Sequence, residues 1–297
     1  MPDILKFGDK DQLLNRFVNK FILYVEGPGD RNAYRQLVGA EFLVDFDFKL
    51  PPDNKTGANA VRKRVEEERQ KNKRVFGFLD GEAAAALGQA QHLVQCDELL
   101  FRVHGAENDG LIFVAAHEIE NLMLAYSDVA PTIAAQKPLA RLVDGQADQI
   151  REQLTKLTGR FLTAAMFKYA SLHMQYQRLC IHVANTRIFA DDTADLKKAL
   201  REMKIVITKQ CRLNWSDYIK ELFAITRALR QHIAASDPPR LETPLRHLRL
   251  ADGKQLLRKL RGQVGEDVEG HLLGVLARTQ FAKELREAIR SEVRLAA

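Results

Sequence analysis

The sequence predicts an α/β fold with a mostly parallel sheet flanked by helices, followed by a mainly α-helical region. Two observations carry this prediction. Up to about residue 130, short apolar runs alternate with segments of helical periodicity. After that point the periodicity is helical almost throughout. Because strands that alternate with helices at short intervals form parallel sheets, we place an α/β domain at residues 1–130 and a helical, basic domain at residues 131–297.

The predicted strands are five short runs whose β-branched and aromatic content is typical of strands. They are FILYVE (21–26), FLVDFDF (42–48), RVFGFLD (74–80), ELLFRVH (98–104) and LIFVAA (111–116). The first three are each followed by a helical segment, at residues 30–38, 58–71 and 83–90.

The second part of the chain carries six segments with helical spacing. They span residues 146–157, 160–183, 193–202, 215–234, 253–260 and 271–293. Within this part, residues 201–208 (REMKIVIT) leave room for one further strand.

The composition is that of a globular protein, with 297 residues, 46% hydrophobic and 28% charged. No apolar run approaches the ~18 residues of a membrane span, so we expect no membrane contact. The amino terminus lacks a basic segment followed by an apolar one, which predicts no secretory signal. The widely spaced Cys96, Cys180 and Cys211 form no metal-binding pair and favour a reducing, cytoplasmic location.

The charge is distributed unevenly along the chain. Residues 1–136 hold 16 basic and 21 acidic residues, a net charge of −5. Residues 137–297 hold 29 basic and 18 acidic residues, a net charge of +11. This asymmetry suits a protein that holds cations at one end and a polyanion at the other, although solvated helix faces rich in lysine and arginine give the same counts.

Two carboxylates lie four residues apart in VEGPGD, where the first predicted strand ends. In parallel sheets, ligands bind beyond the carboxyl ends of the strands. Glu26 at such an end needs a hydrogen bond, an ion pair or a metal to offset its burial. Asp30 has two compatible roles, as a cap of the helix that follows and as a contact to a metal.

The third predicted strand also ends in acids, in the sequence Asp80-Gly81-Glu82. Hard cations such as Mg²⁺ take oxygen ligands and often use one or two carboxylates together with phosphate oxygens. An exposed acidic turn would carry the same three residues. A cluster of like charges on several strand ends, however, is most simply offset by divalent cations.

A third acidic pair lies in HEIENLML, after the fifth predicted strand. Positions two apart in a helix point in different directions, so we expect only one of Glu118 and Glu120 to face the site. His117 stands beside Glu118, but no second histidine follows at the spacing of an H-E-x-x-H zinc motif, which disfavours a zinc pair.

These motifs resemble the Toprim fold of topoisomerases, primases and OLD-family nucleases. The segments LYVEGPGDRNAY, FGFLDGE, HEIENLML and ADGKQLLRKL are similar to OLD-like Toprim proteins of anti-phage systems, in particular the Toprim effector subunits of PARIS-type defence. The resemblance covers residues 20–125 and extends weakly to Gly253-Lys254.

The resemblance implies roles for six residues. Glu26 would be the Toprim glutamate, acting as general acid/base or metal ligand. Asp80 and Glu82 would be the D-x-D metal pair, with glutamate here in the second place. Asp30 and Glu120 would be supporting acids, and Lys254 would lie near the substrate phosphates. The implied cofactor is Mg²⁺ or Mn²⁺.

The resemblance also implies a setting. Such effectors are held inactive by an ABC-type ATPase partner, are released on phage infection, and then act as dimeric nucleases that cause abortive infection, with tRNA as the implied substrate. A DNA-cleaving or nicking nuclease of the same fold, a non-catalytic binding module and a haloacid-dehalogenase-like phosphatase are the alternatives. The phosphatase would carry its aspartate after the first strand rather than the third.

Overall fold

The computed structural model describes residues 20–52, 55–103, 105–135, 146–178, 196–210, 212–235, 241–261 and 268–296. Five strands form one sheet: β1 (Phe21–Tyr24), β2 (Phe46–Lys49), β3 (Val75–Leu79), β4 (Leu100–Phe101) and β5 (Leu111–Val114). Their spatial order is β2-β1-β3-β5-β4. All neighbouring pairs are parallel except β4 with β5. The mostly parallel sheet is therefore confirmed, with an antiparallel strand at one edge.

Thirteen helices are present in the described ranges, besides short 3₁₀ and π turns. Six belong to the first part of the chain: α1 (Pro28–Phe42), α2 (Ala58–Arg69), α3 (Gly81–Ala86), α4 (Ala90–Gln95), α5 (Ile119–Tyr126) and α6 (Val129–Ala135). Seven follow: α7 (Gln146–Arg178), α8 (Leu196–Ile205), α9 (Trp215–Ala235), α10 (Thr243–Leu250), α11 (Gly253–Arg261), α12 (Val268–Leu276) and α13 (Gln280–Ala296).

Some boundaries differ from the sequence prediction. The second strand begins at Phe46, because the residues before it finish α1 and a turn. Two predicted helices join into the single 33-residue helix α7. The further strand left open within residues 201–208 does not form: α8 continues through Ile205 into a π-helical turn, Val206–Gln210. Residues 179–183 and 193–195 of the predicted helices, with Cys180 and Cys211, lie outside the described residues.

Both faces of the sheet are covered by helices from both parts of the chain. On β3, Phe76 and Phe78 point into one apolar cluster, while Val75 and Leu79 point into the other. The first cluster includes α1, α5 and the carboxyl-terminal helices α11 to α13, and the second includes α2 to α4 with α7 and α9. Alternate strand residues face opposite sides of a sheet, so this near-continuous apolar run is buried on both faces. The core is thus continuous across residue 130.

No helix in the described parts of the chain is both long and apolar enough to cross a membrane.

Candidate functional site

Glu26 and Asp80 meet at the carboxyl edge of the sheet. Glu26 follows β1 by two residues and Asp80 follows β3 directly, and these strands are neighbours. The backbone N–H of Asp80 donates to Glu26 Oε1 at 3.2 Å. The hydroxyl of Tyr34, a buried residue of α1, donates to Asp80 Oδ1 at 3.4 Å. Parallel pairing of the two strands therefore brings the two sequence-predicted acids together.

Asp30 belongs to the first turn of α1 instead of preceding the helix. Gly27 is the N-cap residue, and the helix begins at Pro28. The carboxylate of Asp30 accepts a hydrogen bond from the backbone N–H of Gly27. Asp30 thus reaches back to close the turn, as the third residue of a capping box does, while its charge also acts on Glu26 and Asp80.

The glycine of Asp80-Gly81-Glu82 is required by a close backbone approach. A Cβ on Gly81 would lie 2.4 Å from the carbonyl oxygen of Ala116, which accepts the Gly81 N–H at 2.9 Å. The Glu82 N–H donates to the carbonyl of His117 at 3.2 Å. These bonds attach the start of α3 to the segment after β5, so the acids from both strand ends share one site.

The charges of Glu118 and Glu120 both act on Asp80, so both residues lie near this site. Glu118 is the N-cap residue of α5 and has an extended backbone, φ −146° and ψ 172°, so helical divergence does not apply to it. Its N–H donates to the Asn121 side chain at 3.0 Å. Glu120 lies in the first turn, and its charge raises the pKa of Asp80. Its Oε2 is buried without a hydrogen-bond partner.

Lys254 reaches the site from the start of α11. Its backbone N–H donates to Glu118 Oε2 at 3.2 Å, and its Nζ donates to Glu118 Oε1 at 3.1 Å. Asp252 caps this helix by accepting the Gln255 N–H. Lys254 therefore contacts an acid, Glu118, that the sequence analysis did not place among its site residues.

The connection between α10 and α11 is fastened to the start of α5. The Asn121 amide donates to the carbonyls of Leu248 and Ala251 at 2.6 and 2.8 Å. A Cβ on Gly253 would lie 2.5 Å from Asn121 Oδ1, so only glycine permits this approach. The buried Arg249 guanidinium donates to the carbonyl of Ala115 at 2.7 Å. These contacts fix Lys254 relative to Glu118.

Lys168, in α7, is a site residue that the sequence analysis did not predict. Its Nζ lies 2.6 Å from Glu82 Oε2 and 3.7 Å from Glu118 Oε1. It also lies 3.2 Å from His117 Nε2. The available signal was a lone lysine inside the apolar run AAMFKYA. The flanking Phe167 and Tyr169 are buried in the core.

Hydrogen bonds fix the tautomer of the fully buried His117. The Tyr169 hydroxyl donates to the carbonyl of Leu250 at 3.1 Å, so it accepts from His117 Nδ1, 2.9 Å away. The Nε2 atom therefore carries the lone pair, and it faces Lys168 and Glu82. Burial and the Lys168 charge lower the pKa of His117, which keeps the ring neutral.

The acids on the strand-end side hold raised pKa values. Burial, and then repulsion from Asp30 and Glu82, raises the pKa of Glu26 to about 7. Burial and the Glu118 charge raise the pKa of Glu120 to about 7. Burial and neighbouring acids also hold the pKa of Asp80 well above its ordinary value, and burial raises that of Asp30. These four residues form the strand-end acid group.

Glu118 behaves in the opposite way. Although burial disfavours its charge, His117, Lys168 and Lys254 together lower its pKa to about 2. Glu82, His117 and Glu118 each offer a ligand atom, and these atoms lie within 4.8 Å of one another. The Lys168 ammonium already contacts all three residues. Among the described residues, no other three acid, histidine or cysteine side chains bring their ligand atoms this close together.

Comparison with known proteins gives no relative of this chain: no protein-family model matches it, and neither does any curated protein sequence.

Proposed function

We propose that this protein is a divalent-metal-dependent nuclease with a Toprim active site. One observation carries the proposal: the strand-end acid group, Glu26, Asp30, Asp80 and Glu120, gathers four carboxylates whose pKa values are raised by burial and, to a smaller extent, by the charges of neighbouring acids. Strongly perturbed acids in one cleft are typical of functional sites. The position of Glu26 and Asp80 on adjacent strand ends supports the resemblance to OLD-like Toprim nucleases.

The donor set fits Mg²⁺ or Mn²⁺. All candidate ligands are carboxylate oxygens, which hard cations prefer, and the buried Glu120 Oε2 has no hydrogen-bond partner among the described residues. Glu26 and Asp80 would hold the ion together with Glu82, whose charge acts on Glu26, and Asp30 and Glu120 would be supporting acids. A bound divalent ion supplies charge stabilisation at a phosphate and lowers the pKa of a bound water.

The protein's own residues have separate tasks in this proposal. Glu26, with a pKa near neutrality, accepts or returns a proton at the phosphodiester. Lys254 places an ammonium at the edge of the acids, where it contacts a substrate phosphate. Arg258 is exposed one turn further along α11 and continues this basic face. These cations, with the net charge of +11 after residue 136, favour a nucleic-acid backbone as substrate.

We extend the proposal to the setting that the resemblance implies. The protein acts as a toxic effector in anti-phage defence, is held by an ABC-type ATPase partner in the cytoplasm, and cleaves tRNA as a homodimer after release. DNA is the competing substrate of the same chemistry.

The experiment incubates the wild-type protein and its Glu26→Gln variant with Mg²⁺, total RNA and plasmid DNA. We expect the wild type alone to cleave tRNA, and EDTA to stop the cleavage. Cutting of plasmid instead would replace tRNA by DNA. If the wild type binds Mg²⁺ in calorimetry but cuts neither substrate, even with cell extract from infected bacteria, the protein is a binding module and the proposal fails.

A further inference from the structure

The Lys168 ammonium lies where a metal ion would otherwise sit. Its Nζ contacts Glu82 Oε2 at 2.6 Å, His117 Nε2 at 3.2 Å and Glu118 Oε1 at 3.7 Å. One nitrogen and two carboxylate oxygens from three separate residues are a common ligand set for divalent metals. The three atoms also lie within 4.8 Å of one another, close enough to share one ion.

Neighbouring residues hold the His117 and Glu118 ligand atoms in an orientation that favours a cation. His117 is fully buried, and its Tyr169 hydrogen bond forces the Nε2 lone pair toward Lys168. The Glu118 side chain is only 5% exposed and is also held by Lys254. Lys168 enters from α7, a helix that the strand-end acid group does not use, and its side chain is 23% exposed.

We propose that Lys168 is an internal cation that closes the Glu82, His117 and Glu118 position to metal. The ammonium supplies one positive charge there and donates to the imidazole nitrogen, so a divalent ion is confined to the strand-end acid group. Lys168 is therefore a positioning residue that sets how many metal ions the protein takes and which ligands they find. This inference depends on the proposed function in one respect only, which is the number of divalent ions expected in the wild-type protein.

The test counts Mn²⁺ by EPR in the wild-type protein, Lys168→Met and Lys168→Arg. We expect Lys168→Met to bind one more Mn²⁺ per chain than the wild type, because the imidazole nitrogen and the Glu82 carboxylate lose their cation, while Glu118 beside them keeps only its bonds to Lys254. Pulsed EPR should then detect an imidazole nitrogen on Mn²⁺ in Lys168→Met and not in the wild type. Lys168→Arg keeps the charge and should retain the wild-type count. The double variant Lys168→Met with His117→Asn should lose the nitrogen signal.

Two results would overturn the proposal. An imidazole nitrogen on Mn²⁺ in the wild type would show that metal displaces Lys168 freely. An unchanged Mn²⁺ count in folded Lys168→Met would show that the position takes no ion. Lys168→Gln, which keeps a neutral donor beside Glu82, replaces the methionine variant if that variant does not fold. A wild type that binds no Mn²⁺ would refute the proposed nuclease site, whereas a gain in Lys168→Met would still support the role of Lys168.

Discussion

Glu26 and Glu118 follow two strands of the same sheet, yet the protein treats their charges in opposite ways. The pKa of Glu26 is raised to about 7, whereas that of Glu118 is lowered to about 2. Glu118 is the more deeply buried of the two. Burial alone therefore does not decide the charge state. Two lysines and a histidine surround Glu118, while the nearest charges that act on Glu26 are mostly other acids.

The comparison divides the site into two halves. The cationic half is Glu118 with Lys168 and Lys254, and the acidic half is the strand-end acid group that includes Glu26. Around Glu118 the chain supplies its own cations, as expected for a buried charge that must be paired. Around Glu26, the Asp80 backbone N–H and the Lys254 charge lower the pKa, but burial and the neighbouring acids outweigh them. The raised pKa values of Glu26 and Glu120 favour protons on this group near neutral pH, and under the proposed function a divalent ion would replace those protons.

The largest expected effect comes from Glu26→Gln. Under the proposed function, loss of its carboxylate should reduce Mg²⁺-dependent cleavage by at least about 100-fold, because Glu26 would both transfer the proton and bind the ion. In EDTA at pH 8, the same variant should gain roughly 1–3 kcal/mol in free energy of unfolding, since one raised pKa is removed. Cleavage assays and urea unfolding measure the two effects. A loss of both activity and stability would contradict this account.

Glu118→Gln should change stability in the opposite direction. It leaves Lys168 and Lys254 without the charge that both contact, so the free energy of unfolding should fall by about 3 kcal/mol. The matched control is Glu66→Gln, at an exposed glutamate on α2. This variant should change the free energy of unfolding by less than about 0.5 kcal/mol. Equal effects of the two variants on urea unfolding would show that Glu118 is not committed to its lysines.

The two halves should also respond differently to pH. Glu26 and Glu120 have folded-state pKa values raised from 4.5 to about 7, so the stability they contribute is present below pH 4.5 and is lost as pH rises through 7. Glu118 contributes stability above pH 4.5 that is lost as pH falls toward 2. In EDTA, unfolding free energy should therefore decrease from pH 5 to pH 8. Saturating Mg²⁺ should remove this decrease. A decrease that Mg²⁺ does not affect would show that groups other than Glu26 and Glu120 cause it.

Gly81→Ala should give the smallest effect on stability. It tests the close contact that attaches the start of α3 to the segment after β5. Its Cβ would meet the Ala116 carbonyl at 2.4 Å, so α3 must shift, at a cost of about 1–3 kcal/mol in unfolding free energy. Gly29→Ala, in the first turn of α1, meets nothing within 4 Å and should be neutral or slightly stabilising. Thermal unfolding of both variants measures the contrast. Similar melting temperatures would mean that the approach at Gly81 is not tight.

Local sequence patterns were enough to predict the sheet and the acids at its edge. Four predicted strands contain an observed one and the second overlaps β2 at residues 46–48, because short β-branched runs bounded by turns carry their own signal. The parallel order then places Glu26 beside Asp80. The exact capping role of Asp30 was not accessible, since it depends on whether α1 begins at Pro28 or two residues later.

The sequence did not predict the contacts of Lys168 and Glu118, because these contacts join residues that are far apart in the chain. Lys168 lies 51 positions from His117, in a helix whose periodicity marks that face as core. Nothing in the spacing of HEIEN shows that Glu118 precedes the helix instead of lying within it. Only packing of α7 and α11 against the sheet brings these residues to Glu82 and Glu118.

The separation of Glu118 and Lys254 by 136 positions has a consequence for synthesis of the protein. A nascent chain of 130 residues contains every acid of the site and neither of its lysines. The charge partners arrive in order, Lys168 first and Lys254 much later. A translation product interrupted before α11 therefore carries the acids without the Lys254 ammonium that contacts Glu118.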